Sequence, residues 1–410
     1  MRKENEKKFQ YIAFLFGLFG MSAVTWTGLG QAYNYLFIAM ILFSIFFLKV
    51  DDKQTIQFKG VNFLACTALV ATIVSSLLLS DKSSFLSYLM SKNLSGVLLV
   101  SPNDMSNEFV ILIKWILSIY ALPTFVLLTR RHSKERYARI LYCWTFSVLL
   151  SAVIAIMQSI RLIPKLSFIV QTGIDSGRYA GLSNHPNSQA ILLCLSLPVA
   201  LILFRKKLLN QWQFIAVSGI FEYAVFLTGS RNGIMCSSIL LLLIISRNYE
   251  PRSYSKFNIF NFYILVLGLF LFYFLGGFEY TVRNSRLGLN SGSSGGDASS
   301  QGHFALMLYG LDIFKNYPIL GIGPSVLKTF HNIYLQIAGS FGIVGLLAFG
   351  MYVRNLLRID FSLTLKFEYR LIVFSFLLFG IFNNNLADFY LYLPLGLCYA
   401  SYSDMDLHLD

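Results

Sequence analysis

Two arginines and two histidines lie in short polar segments, where their side chains can handle an anionic substrate. Arg178 and His185 lie in GRYAGLSNHPNSQA, Arg231 lies in LTGSRNG, and His331 lies in FHNIYLQIAG. Arginine is a natural partner of phosphate because its planar fork donates two hydrogen bonds at once. A histidine with a pKa near neutrality can accept a proton from a hydroxyl group. These residue types predict a site that binds a phosphate and activates a hydroxyl.

The elements that must position these residues are membrane spans. Of the 410 residues, 56% are hydrophobic and 13% are charged, whereas a soluble domain carries about 25% charged residues. This composition excludes an ordinary soluble enzyme. The alternative for each arginine is that it has no role in a substrate site and that its side chain only extends to lipid headgroups at the membrane interface. That alternative is weaker for Arg231, which lies in a tight turn between two apolar segments.

Apolar segments near the length of a membrane span recur along the whole chain. They predict an all-α polytopic membrane protein with about 12 transmembrane helices, in a single integral membrane domain over residues 1–410. The predicted spans are residues 9–26, 33–48, 60–80, 109–129, 140–160, 187–204, 212–228, 232–246, 257–278, 332–353, 371–387 and 389–403.

Basic residues alternate from loop to loop, which sets the orientation of the chain. With the N-terminus inside, the cytoplasmic segments hold 22 of the 33 Lys and Arg residues. Their net charge is +11, so only +2 of the total of +13 remains for the spans and the outer face. The basic excess therefore reflects topology and predicts no nucleic-acid partner. Both termini are predicted to be cytoplasmic, and the four candidate residues to lie at the outer face.

The largest predicted outer loop covers residues 279–331, between spans 9 and 10. Its Gly/Ser-rich part, around residues 288–302, is typical of a mobile segment. The apolar spacing in HFALMLYGLDIFKN predicts a helix lying on the membrane surface, and YPILGIGPS predicts a turn back into the bilayer. Long loops of this kind are usually lids or substrate platforms.

Two acids lie in or near predicted spans. Glu222 is an acid within the seventh span, where an ionisable group is a functional candidate by default. It lies nine residues, or 2.5 turns, before Arg231, so the two side chains should point to opposite faces of a continuous helix. A structural hydrogen bond to a neighbouring helix is the alternative. Asp388 follows a run of asparagines and either binds sugars or caps a helix.

The sequence predicts neither a metal site nor a cofactor. The cysteines are scattered singly among apolar residues, which is typical of cysteines that pack as small apolar side chains. Asp404 and Asp406 form a DxD pattern, but it lies on the predicted cytoplasmic tail, away from the outer cations.

Four motifs, in order, resemble the O-antigen ligase / O-antigen polymerase superfamily. They are RYAGLSNHPNSQA, LTGSRNG, NYPILGIGPS and HNIYLQIAGSFGIVGLLAFG, and the resemblance covers roughly residues 170–355. Members often carry an acid where this chain has Ser340. They also often carry Arg and Trp before the predicted surface helix, where this chain has SSQGHFALM. His303 is the candidate substitute at that place.

The resemblance implies a GT-C-like membrane glycosyltransferase of the hexosyltransferase type. Its donor would be an undecaprenyl-pyrophosphate-linked oligosaccharide on the outer face of the bacterial plasma membrane, and its acceptor another glycan. It implies catalytic roles for Arg178, Arg231 and His331. The substrate-binding candidates are His185, Asn187, Asn332, Arg286, His303 and Glu222.

Three functions remain open at this point. We favour a polymerase of lipid-linked repeat units for capsule, exopolysaccharide or O-antigen, because the outer loop is compact and the composition is reminiscent of Gram-positive polysaccharide clusters. A ligase that passes the glycan to a different acceptor is the alternative. A lipid-linked oligosaccharide flippase or other transporter is the second alternative, supported mainly by Glu222. A chain-length regulator and a flippase are the expected protein partners.

Overall fold

A computed structural model describes residues 2–48, 59–78, 108–132, 134–172, 174, 177–248, 295–326, 330–357, 365–381, 383, 386, 388 and 391–401. Within these ranges the regular structure is helical and contains no strand. The predicted ninth span, Arg286 and the DxD pattern lie outside the described residues.

The helices fall close to the predicted apolar segments. They are α1 (Arg2–Ala23), α2 (Gln31–Phe47), α3 (Lys59–Leu78), α4 (Glu108–His132), α5 (Lys134–Ser159), α6 (Pro186–Arg205), α7 (Gln211–Thr228), α8 (Arg231–Asn248), α9 (Gly295–Asn316), α10 (Ile333–Leu357), α11 (Lys366–Gly380) and α12 (Tyr392–Ser401). Short 3₁₀ turns cover Thr27–Leu29 and Pro324–Val326.

Four helical stretches among the described residues are long and apolar enough to cross a membrane. They are Val110–Thr129, Glu135–Ser159, Pro186–Arg205 and Ile333–Leu357. Shorter apolar stretches cover Tyr33–Phe47, Val61–Ser75 and Arg231–Ser246. The prediction of an all-helical membrane protein is thus confirmed in its coarse form, while the number of spans stays a prediction.

Helices α9 and α12 differ in extent from the sequence prediction. The helix predicted in HFALMLYGLDIFKN exists as α9, but it begins at Gly295. Residues 295–302, predicted to be part of the Gly/Ser-rich mobile segment, are therefore helical. The last predicted span, 389–403, contains the ten-residue helix α12.

The described chain forms two compact units. The first contains α1, residues 35–47 of α2, α3, α4, residues 134–143 of α5, and α9 to α12. The second contains residues 25–34, the remainder of α5, and α6 to α8. Arg178, His185 and Arg231 belong to the second unit, and His331 belongs to the first.

Local capping explains where the helices that carry candidate residues begin. The Nδ1 atom of His185 accepts a hydrogen bond from the Asn187 amide at 3.1 Å and caps α6, whose first residue is a proline. The Ser230 hydroxyl caps α8 by accepting from the amide of Gly233 at 3.2 Å. The Asn332 side chain caps α10. Each cap satisfies a backbone N–H that the helix itself leaves open.

The first unit has an aromatic core around Trp115 of α4. The indole ring stacks on Phe341 of α10 with centroids 5.2 Å apart. Its N–H donates to the Tyr392 hydroxyl at 2.8 Å, and that hydroxyl donates to the Leu386 carbonyl at 2.6 Å. All three aromatic side chains are buried, so this chain of contacts joins α4, α10 and the start of α12.

Candidate functional site

Arg178 lies against the carboxyl end of α7. Its Nε atom donates to the Thr228 carbonyl at 2.8 Å, and Nη2 donates to Asn187 Oδ1 at 2.9 Å. The amide of Tyr179 donates to the Leu227 carbonyl at 3.0 Å. The segment that carries Arg178 is thus fixed at once to the end of α7 and the beginning of α6.

Arg231 is the first residue of α8, three residues after the carbonyl that Arg178 contacts. Between them, Gly229 ends α7 in the left-handed conformation, with φ 58°, and Ser230 caps α8. Arg231 is exposed. One arginine is therefore bonded to the last residue before this turn, and another is the first residue after it.

The amino-terminal ends of α6 and α8 lie side by side. A Cβ atom at Gly233, in the first turn of α8, would stand 2.7 Å from the Cβ atom of Ala190 in α6. The Cys194 thiol, further along α6, donates to the Gly233 carbonyl at 3.6 Å. A helix amino terminus carries a partial positive charge. These two termini lie near the carboxyl end of α7, where Arg178 bonds to the Thr228 carbonyl and offsets the partial negative charge of that helix end. Anion binding at this place stays a prediction.

His185 contributes to this region through a defined ring orientation. Since its Nδ1 atom accepts from the Asn187 amide, the neutral ring carries its proton on Nε2, an assignment that follows from the hydrogen bond. Asn187 has two roles, because its backbone N–H donates to His185 and its side-chain oxygen accepts from Arg178. Arg178, His185 and Asn187 are thereby joined directly.

A buried polar network supports the segment from Arg178 to His185, and sequence reasoning missed it. The Gln189 Oε1 atom accepts from the hydroxyls of Ser151 at 2.8 Å and Ser183 at 2.7 Å. The Gln171 amide donates to the Gly181 carbonyl, and Gly181 adopts a φ of 58° against the backbone of Ser151. Isolated glutamines and serines in apolar surroundings were the available signal.

Glu222 has a polar partner within the second unit. Its carboxyl group forms a hydrogen bond with the side chain of Ser237 in α8. The contact is the kind that the structural alternative predicted for this acid. A role for Glu222 in substrate binding stays a prediction.

His331 stands at the amino terminus of α10 in the first unit and is partly exposed. The next residue, Asn332, caps the helix by accepting from the Leu335 amide at 3.0 Å. Its Nδ2 atom donates to the Ile381 carbonyl, at the end of α11, at 2.9 Å. The structure thus gives Asn332 a positioning role, and its contact with a substrate remains a prediction.

Helix α10 is broken nine residues after its start, at Gly342, where φ is 62° and ψ is −157°. The carbonyls of Gly339 and Ser340 accept instead from the amides of Ile322 and Gly323, each at 2.9 Å. On the other side of the break, the amide of Ile343 donates to the Pro318 carbonyl at 2.7 Å. The amide of Val344 donates to the Ile319 carbonyl at 3.3 Å. The predicted turn YPILGIGPS therefore completes the helix by supplying the missing backbone partners.

Asp388 pairs with a residue that the sequence analysis did not single out. The Nζ atom of Lys114, in the first turns of α4, lies 3.3 Å from Asp388 Oδ1. Both side chains are largely buried, at 15% and 28% exposed. A lysine inside a predicted span and an acid after a span were the signals available, but nothing in the sequence paired them. Of the two roles considered for Asp388, neither includes this ion pair.

The remaining candidates have less structural context. His303 falls within α9, and Arg286 lies outside the described residues. In the same helix as His303, burial raises the pKa of the Tyr309 hydroxyl, which stays protonated. Among the described residues, no three His, Cys, Asp or Glu side chains come together in a way that would hold a metal ion.

Comparison with known proteins gives one family. Residues 214–350 match the family described as O-antigen ligase, a third of the chain that includes Arg231, His331 and the turn before α10. Arg178, His185 and Asn187 lie before the matched residues. No curated protein sequence matches the chain significantly.

Proposed function

We propose that this protein is a polysaccharide polymerase, because residues 214–350 match the family described as O-antigen ligase, which confirms the resemblance drawn from the motifs. Family members are glycosyltransferase-like enzymes that act as ligases or polymerases. The proposed donor is an undecaprenyl-pyrophosphate-linked oligosaccharide, and the proposed product is capsule, exopolysaccharide or O-antigen. The enzyme would be a GT-C-like protein of about 12 spans, with its site on the outer face of the plasma membrane.

One observation carries the proposal: Arg178 bonds to the last residue of α7, three residues before Arg231, where the amino-terminal parts of α6 and α8 lie side by side. In that place the two guanidinium groups would hold the pyrophosphate of the donor. Their fixed positive charge would stabilise the pyrophosphate as it leaves, which is electrostatic stabilisation of the transition state. Because Arg178 is held by Thr228 and Asn187, it would need little reorganisation when charge develops.

His331 would act on the acceptor. Its imidazole would take the proton of an acceptor sugar hydroxyl while the hydroxyl oxygen attacks the anomeric carbon of the donor. The bond from that carbon to the phosphate oxygen would break as the new glycosidic bond forms, with inversion, and undecaprenyl pyrophosphate would leave. The cap at Asn332 would keep the imidazole at the helix end.

Polymerase and ligase differ only in the acceptor, which is another lipid-linked repeat unit or a different lipid core. Deleting the gene and separating the surface glycan by size tests the choice. For a polymerase we expect long chains to disappear while single repeat units remain. Intact long chains retained on the lipid carrier would favour the ligase.

A transporter of lipid-linked oligosaccharide is the second candidate, and the break in α10 is the feature of the structure that bears on it. Broken helices form the substrate sites of many transporters, where freed backbone groups face the substrate. In α10 the carbonyls of Gly339 and Ser340 and the amides of Ile343 and Val344 are bonded to the preceding turn. That arrangement fits a structural joint better than an open binding site. If Arg231→Ala or His331→Ala leaves glycan length unchanged but stops transport of the precursor, the enzyme proposal is wrong.

A further inference from the structure

Phe330, the residue before His331, is fully buried in a cradle made by two glycines. A Cβ atom on Gly310 of α9 would stand 3.2 Å from its Cγ atom, and one on Gly339 of α10 would stand 2.9 Å from its Cε2 atom. Both distances are shorter than ordinary carbon contacts of about 3.5–4.0 Å. The phenyl ring thus fills the space that side chains at these two positions would need.

Further contacts fix the ring and the backbone of Phe330. The ring of Tyr309, the neighbour of Gly310 in α9, meets it edge to face with centroids 5.5 Å apart. This geometry is favourable between aromatic rings. From α10, Gln336 Nε2 donates to the Phe330 carbonyl at 2.8 Å. Phe330 therefore contacts α9 through its side chain and α10 through both its side chain and its carbonyl.

His331 lies between two anchored residues. Phe330 is held in the cradle on one side, and Asn332 is held by the Leu335 amide and the Ile381 carbonyl on the other. The backbone of His331 therefore follows the position of its neighbours. A shift of α9 relative to α10 would move Phe330, and with it the imidazole.

We propose that Phe330 is a positioning residue that couples the docking of α9 on α10 to the placement of His331. Gly310 and Gly339 are the residues that make room for it. The inference rests on the proposed function in one respect, the action of His331 on the acceptor. What the inference adds is a positioning residue, Phe330, directly before the proposed base His331.

The test adds one methyl group to the cradle with Gly339→Ala. The matched control is Gly350→Ala in the same helix, where a Cβ atom would meet nothing within 4 Å. The assay follows glycan elongation by the full-length protein in detergent, with the lipid-linked glycan extracted from cells lacking the gene. Rates are normalised to folded protein by size-exclusion chromatography.

For Gly339→Ala we expect kcat to fall about 10- to 100-fold, because a small displacement of a reacting group costs that much. The KM for the donor should stay within about threefold, since donor binding is not the interaction removed. Gly350→Ala should match the wild type. The double variant Gly339→Ala/Phe330→Leu, with a smaller side chain in the cradle, should recover most of the lost kcat.

The outcomes separate this inference from the proposed function. Wild-type kcat in Gly339→Ala, or a loss that Phe330→Leu does not reverse, overturns the positioning role while the enzyme remains active. A fall in folded protein with unchanged kcat per folded molecule also overturns it, because the contact would then only stabilise the fold. If wild type and His331→Gln elongate at the same rate, the proposed role of His331 fails, and this inference fails with it.

Discussion

The Nη2 atom of Arg178 donates to Asn187 Oδ1 over 2.9 Å, so a loop arginine is joined to the first turn of α6. The Nε atom of the same guanidinium group donates to the Thr228 carbonyl at the end of α7. One planar group thereby spans two helix ends, and the turn that follows Thr228 leads to Arg231. Because Arg178 is held in place, it would need little reorganisation if it binds an anion, as we propose.

Arg178→Lys tests whether the fork, rather than the charge, is needed. A lysine ammonium keeps the charge but cannot reproduce a planar group that donates in two fixed directions. We expect glycan transfer to fall about 100-fold, measured as elongation per folded protein. Arg161→Lys is the matched control, because Arg161 is exposed in the loop that follows α5. Activity near the wild-type value in Arg178→Lys would contradict the assignment.

Neighbouring variants at the start of α10 should have different effects. His331→Gln removes the proposed base and should lower kcat by about 10²- to 10⁴-fold, with the unfolding temperature close to that of the wild type. Asn332→Ala removes the cap and should lower stability by about 1–2 kcal/mol, while Asn332→Ser keeps a capping oxygen and should lose less. Thermal unfolding in detergent, measured alongside the elongation rate, separates the two effects. A large drop in unfolding temperature for His331→Gln would argue for a structural histidine.

Gly342→Ala should be strongly destabilising. The φ of 62° and ψ of −157° at Gly342 lie in a region that only glycine adopts readily, and a Cβ atom would run into the Ile319 carbonyl. The strain alone should cost about 1–3 kcal/mol, so the unfolding temperature and the amount of protein in the membrane should both fall. Gly350→Ala, which has open space, should behave like the wild type. Equal stability of the two variants would mean that the break in α10 does not depend on glycine.

The ion pair of Lys114 and Asp388 can be tested by a double-mutant cycle. Lys114→Leu or Asp388→Leu alone leaves a largely buried charge without its partner, so each should be destabilising. The double variant should lose less than the sum of the two, by about 1 kcal/mol. Unfolding temperatures of the three variants and the wild type give the coupling. Additive losses would show that the pair contributes no coupling energy.

The positions of the helices could be predicted well from the sequence. Apolar runs of span length placed α4, α5, α6 and α10, and the spacing around Phe304 to Phe314 placed α9. The start of α9 was missed because Gly295 and its serine-rich neighbours have poor helix propensity, which favoured a mobile loop. Hydropathy averages over many residues, so it could not show the break at Gly342.

The sequence indicated the residue types of the candidate site, whose role stays a prediction, but not the contacts among them. Arginines, a histidine and an asparagine near turns indicated anion binding, and the structure brings Arg178, Asn187 and the Arg231 turn together. The bond from Arg178 to Thr228 depends on how a loop crosses a helix end, which no local pattern encodes. The glycine cradle around Phe330 is likewise a tertiary feature.

The most direct test of the central claim is the release of undecaprenyl pyrophosphate by the purified protein. The substrate is the lipid-linked glycan extracted from cells that lack the gene, and the product is measured together with glycan length. We predict that the wild type releases one undecaprenyl pyrophosphate for each new linkage, and that Arg178→Lys and His331→Gln release far less. The account is contradicted if folded wild-type protein leaves the lipid-linked glycan chemically intact, or only moves it across a vesicle membrane.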